Sequence, residues 1–354
     1  MRRDNADPMS YIIVSDVHLG SKLCNHPKFC KFLEWLRDLD SKKEIIKYQD
    51  KDIAISSPEK LILLGDILEL WDPIDGDRNY VIKQGLRPFS LLSDIKCDKI
   101  YVVGNHDDSI GDYDQFIDYE ILSNSTKIDI YNRHYPENGS LRIGERTYFF
   151  LHGHQFDKEQ ALLTWVSNLL GERWDPVKWF QDLYNIDYTK RHWKLNVVIT
   201  IVLLIAGYYG MASALTSFPY LLLWALVTGF FVMSSVPALV AKTQRRIYDA
   251  KKPKDRTAQQ IIDDGYYQDR KDTITSDAVV FGHTHFASSY QQGNEGKLFL
   301  NTGCWIGNDT EIDGKMRYAN TFIYIDESGA YILKWSDDEI SCIEAFPVKS
   351  QEYG

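Results

Sequence analysis

The stretch AVVFGHTHF, residues 278–286, is a short β-branched run that breaks at a glycine into two histidines spaced i, i+2. The run reads as a buried strand and the break as the loop at its end. A single histidine there would be most simply a hydrogen-bonded core residue. A pair invites comparison with the rest of the chain, and the same pattern recurs four times: YIIVSDVHLG (11–20), LILLGDILEL (61–70), IYVVGNHDD (100–108) and YFFLHGHQFD (148–157). Each is an apolar run ending in metal-ligand residue types. Helical stretches such as KFCKFLEWLRDLD (28–40) lie between some of them. Strands alternating with helices predict an α/β fold with a largely parallel sheet core, in which ligands bind beyond the carboxyl ends of the strands. KLFLNTGCW (297–305) and TFIYIDESGAYILKW (321–335) add strand expected to be antiparallel.

Six of the nine histidines (18, 106, 152, 154, 283 and 285) fall in these strand-end loops. Histidines placed at random, or buried one by one for packing, would not select one topological position. The loops therefore predict a metal site. Asp16 and His18, two apart, can point to one side. Asp66 is a lone carboxylate after a glycine that allows close backbone approach. Asn105 offers a neutral carbonyl oxygen, and His152, His283 and His285 offer nitrogen. Mixed nitrogen and oxygen donors without thiolate suit manganese, iron(II), zinc or nickel ions, not a structural zinc. Seven donors are too many for one ion and right for two, with Asp66 as the natural bridge. Two divalent ions about 3.5–4 Å apart make a phosphoryl-transfer site.

The chain has 354 residues, room for one large domain with insertions or for two domains. Its net charge of −10 argues against a nucleic-acid binder that relies on a broad basic surface. Five cysteines without a C-x-x-C pair suggest reduced thiols in a cytosolic compartment. The opening MRRDNADPMS carries no apolar signal-peptide core. Nothing in the chain sets an oligomeric state.

One region departs from this average. Leu195 to Ala241 is a run of 47 residues without a charge, flanked by Lys190, Arg191 and Lys194 before it and by Lys242, Arg245, Arg246, Lys251, Lys252, Lys254 and Arg256 after it. A helix needs about 20 apolar residues to cross a bilayer. The run predicts a two-helix transmembrane hairpin, joined at TSFP, with both basic flanks and the catalytic part on the cytoplasmic side of the cell membrane. The competing reading is a helical pair buried in a core or dimer interface. The preceding stretch, with Trp165, Trp174, Trp179 and Trp193 among charges, reads as helices at a membrane interface or as aromatic core helices of a cap. The expected organisation is a catalytic core in two parts, 1–156 and 273–354, enclosing interfacial helices (157–194), the hairpin (195–241) and a basic linker (242–272).

The set D-x-H (16–18), G-D (65–66), G-N-H-D (104–107), H-G-H (152–154) and G-H-T-H (282–285) resembles the calcineurin-like metallophosphoesterase superfamily. The resemblance implies a β-sandwich flanked by helices, into which the uncharged run would insert its hairpin. It implies that one metal takes Asp16, His18, Asp66 and His285, and the other Asp66, Asn105, His152 and His283. His106 would face the substrate and aid the leaving group, Asp107 would orient it, and His154 would stand behind the ligands. SDVHLGS and GDILELW are similar to the branch containing UDP-2,3-diacylglucosamine pyrophosphatases, from which this chain departs with His106 in place of arginine and His154 in place of aspartate. The expected function is hydrolysis of a phosphomonoester or pyrophosphate on a lipid or lipid-linked substrate, with two manganese-type ions. The alternatives are a soluble-substrate phosphodiesterase or nuclease, and a non-catalytic scaffold. The full ligand set and His106 weigh against the scaffold.

Overall fold

The computed structural model describes residues 9–39, 44–49, 51–70, 74, 78–107, 128–156, 187–212, 222–232, 235, 256–264, 274–292, 296–336 and 339–348. The chain divides into two compact units, residues 1–158 with 253–354, and residues 159–252.

The first unit opens with β1 (Tyr11–Val14), α1 (His26–Asp38), the hairpin β2 (Glu44–Tyr48) and β3 (Lys51–Ile55), β4 (Lys60–Leu64), α2 (Arg78–Asp94), β5 (Asp98–Val102) and β6 (Ile128–Tyr131). It continues with β7 (His134–Tyr135), β8 (Leu141–Ile143) and β9 (Arg146–Leu151). The second unit contains α3 (Asp187–Ala212) and a helix over 222–232, α4. The chain then returns through α5 (Ala258–Asp264), β10 (Ala278–Phe281), β11 (Ser288–Gln291), β12 (Leu298–Asn301), β13 (Thr310–Ile312), β14 (Lys315–Arg317), β15 (Thr321–Asp326), β16 (Gly329–Ser336) and β17 (Glu339–Pro347).

Two mixed sheets form the first unit. One runs β17-β16-β15-β1-β4-β5-β6, parallel from β1 to β6 and antiparallel from β1 to β17. The other runs β11-β12-β10-β9-β7, with β8 also on β9; its centre β12, β10, β9 is parallel and its edges are antiparallel. The parallel core is thus split between two sheets. Strands joined by tight turns, as β15 and β16 are, can only pair antiparallel.

Alternation along the strands builds the layers. Tyr11 and Ile13 of β1, Ile62 and Leu64 of β4, Tyr148 and Phe150 of β9, and Ala278 and Val280 of β10 meet in one core cluster between the sheets. The opposite residues of β1 and β4 pack outward with α1, through Phe29, Phe32, Leu33 and Leu36 at helical three-to-four spacing. Pro27 opens that helix, where its missing N–H costs nothing. The opposite residues of β9 and β10 join a third, separate cluster. Because β1, β4, β5, β9 and β10 run in matching directions within each sheet, all five strand-end loops gather at one end.

In the second unit, α3 and α4 touch through polar groups: Thr200 Oγ1 lies 3.1 Å from Ser235 Oγ just beyond α4, and Trp224 Nε1 donates to the Leu203 carbonyl at 3.0 Å. Thr228 and Ser235 are buried, whereas Ile201, Val202, Ile205, Leu223, Leu226 and Phe230 are each more than half exposed. The expected membrane hairpin is not found among the described residues, where no helix is long and apolar enough to cross a membrane. The uncharged part of α3, from Leu195 to Ala212, is only 18 residues. The hairpin turn, the end of its second helix and most of the aromatic stretch 157–194 lie outside the described residues.

Candidate metal centre

Five of the seven expected ligands sit in left-handed backbone conformations: Asp16 (φ 53°), His18 (51°), Asp66 (53°), His283 (70°) and His285 (58°). They are five of the eight non-glycine residues with positive φ among those described. Such a conformation costs about 1–2 kcal/mol per residue and persists only where the surroundings enforce it. Here the enforcement is a set of loop-to-loop hydrogen bonds. Asp16 N donates to Gly65 O (3.0 Å), His18 N to Asp66 O (2.9 Å), Trp305 N to Asp16 O (3.0 Å) and Gly282 N to His152 O (2.8 Å). The glycines preceding the ligands make room. A Cβ on Gly104 would strike Asp66 Oδ1, and one on Gly282 would strike Ser15 Oγ and Asp16 Oδ2.

The structure brings Asp16, His18, Asp66, Asn105, His152, His283 and His285 together and buries nearly all of them. Ligand atoms of Asp16, His18 and His285 lie within 4.8 Å of one another, and so do those of Asp66, His152 and His283. Asp66 Oδ2 is 3.1 Å from His152 Nε2 and 3.8 Å from His18 Nε2, so one oxygen reaches both groups. Its other oxygen accepts the His106 backbone N–H at 2.8 Å. Asp16 is used in the same way. Its Oδ2 takes the His283 N–H (3.0 Å) and the Ser15 hydroxyl, while Oδ1 accepts no hydrogen bond and stands 3.1 Å from His285 Nε2. Asn105 Oδ1 lies 3.1 Å from His283 Nδ1.

These residues fit two cations. His152 donates from Nδ1 to the Leu64 carbonyl (2.9 Å), and His18 from Nδ1 to Glu69 (2.8 Å). In the neutral ring each Nε2 is then a lone pair directed toward carboxylate oxygens. His152 Nε2 is buried and makes no hydrogen bond. That arrangement is repulsive unless a proton or a metal ion intervenes. In the metal-free chain the proton does: burial lowers the basicity of His152, but Asp66 and Asp16 outweigh it and push the ring up to about 10. Burial raises Asp66, yet His152, His106 and His18 hold it well below the usual carboxylate range. Asp16 is lowered likewise, chiefly by His285 against its burial.

His106 is held differently from expectation. One of its ring nitrogens lies within 4.8 Å of ligand atoms on His18 and Asp66, and its ring stands edge-on to His18 at 4.7 Å. Its Nδ1 is bonded to Glu69 Oε1 at 2.7 Å. Glu69, not Asp107, orients it. The same carboxylate binds His18 with its other oxygen, and burial notwithstanding, His106 and His18 keep it below the normal glutamate range. Asp107 instead accepts from Ile67 N (2.8 Å), Gly104 N (2.6 Å) and Tyr101 OH (2.5 Å), which locks the Asp66 loop to the Asn105 loop. Burial and the nearby Asp66 charge push Asp107 up to about 6. His154 stands beside the second group, with its ring 5.6 Å from His152 and 6.3 Å from His283. Glu69 was missed in the sequence, although a second carboxylate beside Asp66 in the largely apolar LILLGDILEL was its visible sign.

A family model described as calcineurin-like phosphoesterase matches residues 9–207, more than half the chain. The chain belongs to this family. The family suggests metal-dependent phosphoester hydrolysis, and the gathered donors include groups that could hold divalent metal ions. No curated protein matches the chain. Similar solved structures include wild-type Vps29 complexed with zinc from Entamoeba histolytica, at 12% identity and TM-score 0.36, covering 96% of this chain and 99% of that one. Vacuolar Protein Sorting 29 from Cryptosporidium parvum follows at 13% identity and TM-score 0.34, with 96% and 99% covered. A novel archaeal phosphodiesterase is similar at 15% identity and TM-score 0.32, with 96% and 100% covered.

Proposed function

We propose that this phosphoesterase uses two divalent ions, manganese first among them, to hydrolyse a phosphomonoester or pyrophosphate of a lipid or lipid-linked substrate at the cytoplasmic face of a membrane, with residues 195–241 as its anchor. Asp16, His18, Asp66 and His285 would hold one ion, and Asp66, Asn105, His152 and His283 the other. When bound, such ions supply Lewis-acid charge to phosphate oxygens and make water a nucleophile at neutral pH. The chain's own contribution is proton handling and exclusion of solvent. His106, oriented through Nδ1 by Glu69, would hydrogen-bond a phosphate oxygen or give a proton to the leaving oxygen. Burial of the donors removes competing water.

The observation that carries the membrane reading is the inverted helix pair. Thr200 and Ser235 meet inside, while leucines, valines, isoleucines and Phe230 face out. A water-facing pair would show the reverse pattern, and an apolar patch of this kind marks a surface meant to be covered. Small and hydroxyl residues between helices suit packing in lipid. The likeness of SDVHLGS and GDILELW to the diacylglucosamine pyrophosphatase branch puts a lipid-linked pyrophosphate first among substrates.

Two measurements test this. Full-length protein should sediment with membranes and need detergent for release; recovery in the supernatant without detergent would overturn the anchor. Purified protein with manganese should turn over nucleotide-diphosphate sugars or phospholipid headgroup phosphates faster than bis-p-nitrophenyl phosphate. Turnover of the diester alone would favour a soluble-substrate phosphodiesterase.

A further inference from the structure

The chain leaves its first unit after Lys158 and re-enters at Pro253. Both crossings are built into the loops that carry His152 and His283. On the way out, His152 is followed by a single turn of 3-10 helix, His154–Phe156, and Phe156 stands edge-on to Phe281 with ring centres 5.9 Å apart. Phe281 ends β10, two residues before His283. On the way back, Arg256 offers its carbonyl to Thr284 Oγ1 at 2.7 Å, and Ala258 N donates to Ser288 Oγ at 2.8 Å. Ala258, Ile261 and Ile262 of α5 then join Phe156 and Phe281 in the third apolar cluster, behind β9 and β10.

Thr284 lies between the two histidines of the G-H-T-H loop and is fully buried. Its hydroxyl is used twice. It donates to Arg256 and accepts from Asn301 Nδ2 at 2.8 Å, and the same amide holds the Gly282 carbonyl at 2.9 Å. If packing alone mattered, valine would fill this position equally well. The hydroxyl connects the returning chain to the loop that aims His283. The loop of Asp16 and His18 is tied to a different segment, through Ser15 to Thr302 and through Asp16 O to Trp305 N, and the outer face of β1 packs on α1.

We propose that Thr284, seconded by Ser288, is a positioning residue that couples the returning segment 256–264 to the His152/His283 half of the metal centre. The coupling rests on the two-metal reading above. It is reciprocal by thermodynamic necessity: ordering the segment strengthens that half-site, and a metal there orders the segment.

The test uses the full chain and manganese alone. Calorimetry counts and ranks the two bound equivalents, and amide hydrogen exchange follows residues 257–264 with and without the ion. In the native protein manganese should slow exchange across 257–264. In Thr284→Val/Ser288→Ala that protection should disappear, and one equivalent should bind about 10–100-fold more weakly, the usual scale for losing a group behind a ligand. The other equivalent should be unchanged, and Thr284→Ser should bind as the native chain does. If the native chain binds fewer than two ions, the dinuclear reading fails. If it binds two but the double variant is unchanged, or weakens both equally, the coupling is overturned. If the double variant does not fold, Thr284→Val alone carries the comparison. An unfolded Thr284→Val beside a folded Thr284→Ser would assign the hydroxyl to folding and overturn the proposal as well.

Discussion

The two halves of the metal centre stand on different sheets and draw on different donors, carboxylates with one histidine on one sheet and histidines alone on the other. Asp16, His18 and Asp66 follow β1 and β4 of the seven-stranded sheet, whose outer face is covered by α1. His152, His283 and His285 follow β9 and β10 of the six-stranded sheet, whose outer face is covered by the two crossings to the second unit. One half is thus backed by a regular helix with a complete apolar face, and the other by chain on its way to and from elsewhere. Asp66, Asn105 and His285 cross between the halves, Asp66 by its shared oxygen, Asn105 at the end of β5 by its contact with His283, and His285 by its contact with Asp16. The difference teaches that two halves of one metal centre need not be equal in stiffness or in what can perturb them.

The largest effect should come from removing the residue that joins the halves. Asp66→Ala leaves His152 and His18 without their common carboxylate, so both ions and essentially all hydrolysis should be lost. Metal analysis that still finds two bound equivalents would mean that the halves are independent.

His106→Asn should leave both ions in place and lower kcat by roughly 10²–10⁴-fold, the range for a positioned acid or base. The loss should shrink with a p-nitrophenolate leaving group, which needs little protonation. An equal loss across leaving groups would assign His106 to phosphate binding.

Glu69→Gln keeps one acceptor and loses the other, at a residue that bonds His18 of the first half and His106. The expected loss is about 10–100-fold in the affinity of one ion or in kcat, with the second half untouched. Weakening of both ions alike would erase the comparison.

The loops themselves were legible because each couples an apolar run to ligand residue types, a signal carried by neighbours in sequence. What was not legible depends on distance along the chain. Strands buried on both faces read as continuous apolar runs, so nothing in YFFL or AVVF announces a second sheet. Asp107 follows His106, and adjacency suggested a pair; in the turn the two side chains diverge, one toward Glu69 and the other beneath Asp66. Glu69 could not be weighed without knowing that two distant histidines would approach it. The uncharged run announced helices in α3 and α4, but among the described residues no helix is long and apolar enough to cross a membrane.

The smallest effect sharpens the comparison most, because it is read on a ring of the second half that the carboxylates of the first half perturb. Without metal, Asp66 and Asp16 raise His152 to about 10 against its burial, while an unfolded histidine titrates near 6.5. The folded ring therefore holds a proton between these values that the unfolded chain lacks. The stability this contributes is fully present below about pH 6.5 and is lost as pH rises through about 10. With Nδ1 fixed on the Leu64 carbonyl, the proton at stake is on Nε2, where an ion must bind. Manganese binding at pH 8 should therefore expel about one proton from this ring, seen as a dependence of the calorimetric heat on buffer ionisation enthalpy. His152→Gln should lack that increment. The metal-free protein should also lose melting temperature between pH 8 and 10 more steeply than the manganese-loaded protein. Equal proton release from the native chain and the glutamine variant would show that His152 enters the metal site already neutral, and that the two carboxylates do not hold its proton.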